Sequence, residues 1–537
     1  MQCCRCFLRR DRMKFMGSLA VGAALLCSVP AAMADNGIAG ELNARSCAAL
    51  KESLMMPEGV SLTSVKAVTS VSALESQLKP AQAKAFKPYC QITGEFEKRK
   101  GVKGKDYAIG FGLNLPFDWN GRFLFQGGGG LNGLIREPLG ALAAGDTPAL
   151  FRGFAVASTD SGHQSDTVFD PSFFEDQQAL LNFYSGAVSK TAKLVTQLIS
   201  GVYSQPAQNN YFVGCSTGGR EAMTMSQRFP DLFDGIIAGA PARQTNYSEI
   251  ADLYVAKTLR ALSGNNQPPF SDKKQKAIEQ ALLAQCDALD GREDGLIFAV
   301  EQCEFDPGKM ICDGQQHGDS CLTTEEAEGL VTAFNGPADS NGNNVYPGFF
   351  FDTGIDDKPA RSAPGLLSAQ PGPLGRARID EPFDINRELA IADGFPLEPG
   401  NATLTNLSTF VVEENKLMFF HGVSDPWFSA KDTLGYFNDM VAQNGGYEQV
   451  SQWSQFYFVP GMGHCRGGEQ ALDQFDMLSS LVDWVEKGDK PVSVVAYGES
   501  MPEETRPLCP YPSVTTYKGE GDESDASSYM CKTPDGH

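Results

Sequence analysis

Tyr211-Phe-Val-Gly-Cys-Ser-Thr-Gly-Gly-Arg220 joins a short apolar, β-prone run to a glycine-flanked serine and then to a helix-compatible stretch, Arg220 to Arg228. Within it, Gly214-Cys215-Ser216-Thr217-Gly218 reads as G-x-S-x-G, the turn that lifts a serine off the end of a strand. The strand–turn–helix setting separates it from a tight turn carrying a solvent-facing serine. It also predicts the fold class, because such a turn belongs at the end of a strand in an α/β chain.

Neighbouring segments extend that pattern. Phe123-Leu-Phe125 reads as a strand running into Gly127-Gly-Gly-Gly130, and Phe154-Ala-Val-Ala157 as a strand ending at Ser158-Thr-Asp-Ser-Gly162. From Gln178 to Tyr203, Leu180, Phe183, Ala187, Leu194 and Leu198 recur at the spacing of one apolar helix face. Ile236-Ile237 is the next strand candidate, closing at Gly239-Ala-Pro241. The character then changes. Residues 242–404 hold helical stretches, an acidic loop, four closely spaced cysteines and Pro/Gly-rich pieces such as Pro371-Gly-Pro373. Lys416-Leu-Met-Phe-Phe420 and Phe456-Tyr-Phe-Val459 then return as β-like runs. The expectation is one α/β domain with a parallel sheet, residues 35–241 and 405–537, interrupted by an insertion over 242–404.

The start of the chain reads as an export signal: a basic start through Lys14, an apolar run from Phe15 to Pro30, and Ala32-Met33-Ala34 as a cleavage site. No other segment is apolar enough to span a membrane, so a soluble, secreted or periplasmic product is expected. The net charge is −22, and loss of residues 1–34, with five Lys/Arg and one Asp, makes it −26. So acidic a chain is a poor partner for nucleic acid or an anionic membrane. Of 14 cysteines, ten lie beyond the leader, and an even number in an exported chain predicts disulfides. Zinc is the rival use, but beyond the leader no C-x-x-C or His/Cys cluster has ligand spacing.

A serine nucleophile needs a histidine base oriented by a carboxylate. The chain has five histidines. His537 is terminal, His317 lies between Cys312 and Cys321, and His163 and His421 precede the place where a Ser…Asp…His order puts the base. His464, in a glycine-rich loop after a β-like run, remains. The acid is read as Asp425, five residues beyond Phe420, and His421 as a pocket wall. The oxyanion needs backbone donors. Thr217 N–H is one; the second is expected from Gly127–Gly130, with Gly128 taken as the donor although the run itself does not single it out. The absence of a following Gly-Lys-Ser/Thr disfavours a phosphate loop. Cys215 precedes Ser216 and Cys465 follows His464, so a bond between them would hold base and nucleophile in register across 250 residues.

This combination resembles the tannase/feruloyl esterase family, which includes a hydrolase of mono(2-hydroxyethyl) terephthalate. The resemblance rests on Gly127-Gly-Gly-Gly-Leu-Asn-Gly133, Gly214-Cys-Ser-Thr-Gly-Gly-Arg-Glu221, His421-Gly-Val-Ser-Asp-Pro426 and Pro460-Gly-Met-Gly-His-Cys-Arg-Gly-Gly468. It implies a secreted serine carboxylesterase with an α/β-hydrolase core, a lid inserted between nucleophile and acid, and catalytic Ser216, Asp425 and His464. It further implies Cys215–Cys465 bonded, with Cys47–Cys90, Cys286–Cys303, Cys312–Cys321 and Cys509–Cys531 as the other pairs. Substrates would be esters of aromatic acids of the feruloyl or galloyl type. A terephthalate monoester is the alternative, calling for a cationic partner among Arg361, Arg376, Arg378 and Arg387. A non-catalytic, calcium-bound binding protein on the same scaffold is the rival class.

Asp287, Asp290 and Asp294, with glycines at 291 and 295, form a loop able to curl around a hard cation, though not at EF-hand spacing. The resemblance implies a structural calcium there, completed by the carbonyls of Arg292 and Leu296. Which of Phe349, Phe350, Phe351 and Phe383 would stack on an aromatic acyl group is not set by the sequence. Trp427 and Phe428 are equally readable as pocket or core.

Overall fold

The computed structural model describes residues 41–534 apart from 75, 265–266, 315–317 and 357–362. The expected leader, His317, Arg361 and His537 lie outside the described residues. Those described belong to one compact unit, Gly37–His537. No helix among them is long and apolar enough to cross a membrane.

Nine strands form the central sheet: β1 (Ser61–Val68), β2 (Tyr89–Lys100), β3 (Asp106–Pro116), β4 (Arg122–Gln126), β5 (Ala155–Thr159), β6 (Asn209–Ser216), β7 (Gly235–Pro241), β8 (Lys416–Gly422) and β9 (Ser454–Val459). Their order is β1-β2-β3-β5-β4-β6-β7-β8-β9. From β5 through β9 every pairing is parallel. The sheet is mixed, however, because β1, β2 and β3 pair antiparallel with one another and β3 pairs antiparallel with β5. These three strands have no clean alternation of apolar and polar residues to announce them.

Period-two burial divides the core. Phe123, Phe125, Phe212, Ile236, Leu417, Phe419 and Phe456 point to one face of the sheet, against helices Ala187–Tyr203, Thr217–Arg228 and Ala430–Gln443. Leu124, Tyr211, Val213, Ile237, Met418, Phe420 and Tyr457 point to the other, where helix Met477–Lys487 packs. A one-residue slip would exchange the two sets. Burying each such side chain contributes roughly 1.5–3 kcal/mol. The helix before β6 begins earlier than Ala187, through Gln177–Leu181 and a π-helical turn, Asn182–Gly186.

Between β7 and β8 the insertion carries its own apolar cluster. Helices Thr245–Ser263, Asp272–Cys286 and Thr324–Asn335 bury Val255, Leu259, Ile278, Leu282, Leu330 and Phe334 together. Phe349 and Phe351 belong to that packing; Phe351 stacks on Phe334 at 4.0 Å. Ser271 and Thr323 cap two of these helices with their side chains, as N-cap serine and threonine do.

Among the described residues there are five disulfides: Cys47–Cys90, Cys215–Cys465, Cys286–Cys303, Cys312–Cys321 and Cys509–Cys531. They suit an oxidising compartment.

Candidate active site

Ser216 ends β6 and stands at the N-terminus of helix Thr217–Arg228 with φ 64° and ψ −125°. A side chain in that region costs about 1–3 kcal/mol and persists only where its surroundings impose it. Here the imposition is visible. A Cβ at Gly214 would lie 2.4 Å from Gly218 O, and one at Gly218 would lie 2.7 Å from Gly128 O. Both glycines are required for the turn to close against the Gly127–Gly130 run. Thr217 Oγ1 also donates to Gly130 O, tying the two loops together.

β8 and β9 bring the acid and the base to the same sheet edge as Ser216. Asp425 Oδ2 accepts from His464 Nδ1 at 2.7 Å. Its Oδ1 accepts the Trp427 and Phe428 amides at 2.9 and 3.1 Å. Burial alone would raise Asp425, but His464 and His421 beside it hold it well below the usual carboxylate range. Because an ionised carboxylate can only accept, Nδ1 of His464 carries the proton and Nε2 is left as the basic nitrogen. His421 is not a pocket wall. It is fully buried behind Asp425, its Nε2 2.9 Å from Phe428 O and 3.4 Å from Asp425 Oδ2, its Nδ1 2.9 Å from Thr433 Oγ1.

The Cys215–Cys465 bond, with Cα atoms 6.0 Å apart, joins the residue before Ser216 to the residue after His464. Ser216 lines a cleft that is partly open to solvent. Trp427 and Phe428 line it, and their rings pack 4.9 and 5.3 Å from the His464 ring. Phe169 and Leu131, to which the sequence assigned no role, and Phe183, read there as part of an apolar helix face, add to its apolar wall. None of Phe349, Phe350, Phe351 and Phe383 lines it. Nor does any described member of the arginine set Arg376, Arg378 and Arg387; Arg378 and Arg387 are ion-paired to Glu388.

Thr217 lines the cleft at the start of its helix. The glycine run is differently placed from expectation. Gly128, taken as the second oxyanion donor, gives its N–H to Glu221 Oε2 at 2.8 Å. Gly127 gives its N–H to Val213 O and Gly129 to Asn132 Oδ1. Gly130, which faces the cleft, is the member of the run whose N–H has no partner among the described residues.

Two buried carboxylates escaped the sequence reading. Glu221 gathers Gly128 N–H, Asn132 Nδ2 and Ser161 Oγ, fixing the glycine run. Asp352, from the insertion, accepts Ser424 Oγ and Gly461 N–H, both at 2.7 Å. It therefore clamps the acid loop to the histidine loop. Glu221 closes the Gly214–Glu221 stretch and Asp352 lies outside every motif quoted above, and no local spacing assigns either its role.

In the acidic loop, Asp287 and Asp290 are buried, and Asp294 faces Arg506. Burial, then the neighbouring carboxylates, pushes Asp290 up to about 7. The donor chemistry, three carboxylates and two carbonyls, suits a hard divalent cation, which would relieve that repulsion. As placed, the carboxylates instead accept backbone amides: Gly295 on Asp287, Arg292 and Phe298 on Asp290, Leu296 on Asp294. Among the described residues no three acidic, histidine or cysteine side chains converge as a ligand set.

A family model described as tannase and feruloyl esterase matches residues 90–366 and 394–532. Mono(2-hydroxyethyl) terephthalate hydrolase of Piscinibacter sakaiensis is 31% identical, over 84% of this chain and 86% of that protein. Feruloyl esterase B of Aspergillus niger is 29% identical, over 78% and 82%. Among solved structures, feruloyl esterase B from Aspergillus oryzae superposes with TM-score 0.73 at 23% identity, covering 91% of this chain and all of that one. Tannin acyl hydrolase from Aspergillus niger gives 0.69 at 23%, covering 89% and 92%. These two likenesses bear on the fold, which is that of an α/β-hydrolase.

Proposed function

The chain belongs to the tannase and feruloyl esterase family and is a carboxylic ester hydrolase, and from that premise we propose that it is a secreted serine esterase of aromatic acids working through Ser216, His464 and Asp425. The observation that carries this reading is the Asp425–His464 hydrogen bond beside a cleft that Ser216 lines.

His464 Nε2 takes the Ser216 proton as Oγ attacks the ester carbonyl. Asp425 keeps the imidazole in the productive tautomer and stabilises its charged form. Thr217 N–H, with Gly130 N–H in place of Gly128, faces the developing oxyanion. The C–O bond to the alcohol breaks as His464 returns the proton to the leaving oxygen. Water then repeats the attack on the acyl-enzyme, giving the acid and free Ser216. Phe169, Phe183, Trp427 and Phe428 supply the apolar wall on which an aromatic acyl group packs.

Calcium is proposed for the loop at Asp287, Asp290 and Asp294, with the Arg292 and Leu296 carbonyls, as a structural ion. It would supply a fixed positive charge bracing the loop, and no bond of the hydrolysis needs it. Export is supported by the five disulfides and the apolar leader pattern.

Hydrolysis of methyl ferulate, methyl gallate and mono(2-hydroxyethyl) terephthalate, measured side by side, tests the reading. Turnover of at least one by the wild type, abolished in Ser216→Ala, is expected. Turnover of none, or full activity in the variant, would overturn it.

A further inference from the structure

The cleft contains few polar groups beyond Ser216 and Thr217, and most are already committed. Arg220 donates to the carbonyls of Tyr184, Gly400 and Phe183 and lies over the Phe183 ring at 4.5 Å. Asn401 donates to Asn246 Oδ1 at 3.0 Å, and Thr245 Oγ1 to Ala242 O at 3.2 Å. Glu249 differs. It lines the cleft, is 8% exposed, and its Oε2 makes no hydrogen bond of good geometry, with the Gly375 and Leu374 amides close to the carboxylate. A buried polar atom left unpaired is rare in a folded protein and calls for an explanation.

Its position supplies one. Ala242 N–H bonds Ser216 O at 2.9 Å, so helix Thr245–Ser263 starts beside the nucleophile. Ala242, Thr245 and Glu249 all line the cleft, the last two on one helix face. Glu249 thus stands one turn, about 6 Å of helix rise, beyond Thr245. Pro373 and Leu374 also line the cleft, in the segment that lies against the Glu249 carboxylate. Asp252 lies behind, holding the Gly372 amide at 3.0 Å, with its own Oδ1 unpaired. Burial pushes Glu249 up to about 7, with Arg378 and the nearby Gly375 and Leu374 amides acting in the opposite sense. Burial and the Glu249 charge push Asp252 well up too.

We propose that Glu249 is the hydrogen-bonding end of the acyl pocket, pairing with a neutral phenolic hydroxyl on the side of the aromatic ring remote from the ester carbonyl. The assignment rests on the proposed function. What it adds is the residue of this chain that recognises the ring hydroxyl. A ring carrying a second carboxylate would bring a third acidic group up to Glu249 and Asp252, with Arg378 already paired to Glu388, and is selected against. A site built to hydrogen-bond a substrate hydroxyl discriminates strongly against the analogue lacking it.

The test compares kcat/KM for methyl 4-hydroxycinnamate, methyl cinnamate and mono(2-hydroxyethyl) terephthalate in the wild type, Glu249→Gln and Glu249→Ala. The wild type should favour the hydroxylated over the plain cinnamate by at least about tenfold and should favour it over the terephthalate monoester. Glu249→Ala should bring the cinnamate ratio to within about twofold of unity, while Glu249→Gln, neutral and still able to donate and accept, keeps most of the preference. Inhibition of the wild type by 4-hydroxycinnamate and cinnamate gives the same comparison without a variant, and the hydroxylated acid should bind more tightly by a similar factor. A wild type with no hydroxyl preference, one that prefers the terephthalate monoester, or a Glu249→Ala variant with the wild-type ratio would overturn the assignment while leaving the esterase reading intact. A wild type that hydrolyses no aromatic ester would overturn both.

Discussion

Replacing both Cys215 and Cys465 by alanine removes one covalent link and leaves no unpaired thiol. The bond closes a 250-residue loop. Loop-closure entropy for a loop of that length corresponds to about 5 kcal/mol of stability. The Cys286–Cys303 and Cys312–Cys321 bonds, spanning 17 and 9 residues, shorten the path within it. The dependence is logarithmic, so that correction is only about 0.1 kcal/mol. Urea unfolding of wild type and double variant reads the stability difference directly. Activity should fall further than stability alone requires, because Cys215 and Cys465 abut Ser216 and His464. A displacement of about 1 Å at a reacting group costs on the order of a hundredfold in rate. The assay is kcat on an aromatic methyl ester, under conditions where near-ultraviolet circular dichroism shows the variant folded. A folded variant within twofold of wild-type kcat would refute the idea that the bond sets the register of base and nucleophile. An unchanged urea midpoint would refute the stability argument.

Further outcomes follow from other contacts. Asp425→Asn should lower kcat by about 10⁴-fold through loss of the productive His464 tautomer. Asp425 is held below its unfolded value, so its contribution to stability is present above about pH 3.9 and lost as pH falls through the folded value; wild-type urea stability should drop on acidification more steeply than that of the variant. Glu249 is shifted the other way: its folded form keeps a proton that the unfolded chain releases, so stability should decline as pH rises from about 4.5 to about 7, by up to about 1.4 kcal/mol per pH unit, and Glu249→Gln should flatten that slope. Asp352→Ala strands the Ser424 hydroxyl and the Gly461 amide and should cost about 1–3 kcal/mol for each, measured by denaturant unfolding together with a reduced kcat. A chelator should lower the melting temperature of a calcium-loaded sample, and Asp290→Ala should remove that sensitivity; a melting temperature indifferent to both calcium and chelator would contradict the calcium proposal.

What could be read in advance was local. Ser216, Asp425 and His464 each sit just beyond a β-prone run, within a few residues of glycines that shape the turn, so sequence neighbours carry the signal. The apolar runs of β4, β6, β8 and β9 were equally local. Strands β1–β3 were illegible because the Glu95–Lys100 charge run and the glycines of β3 blur period-two patterning, while pairing with the existing sheet stabilises them regardless. Glu221, Glu249 and Asp352 could not be read either. Each acquires its role only when a distant segment folds over it, the glycine run, the 371–376 segment and the acid and histidine loops respectively. The same reason sends Phe349 and Phe351 into the core of the insertion while Phe169 and Phe183, from the sheet domain, line the cleft.

The account stands most directly on the chemistry of one hydroxyl. Treating the disulfide-intact protein with a fluorophosphonate and mapping the adduct by peptide mass spectrometry should find it on Ser216, with labelling and ester hydrolysis lost together in Ser216→Ala. An adduct on another serine, or hydrolysis that survives the substitution, would contradict it.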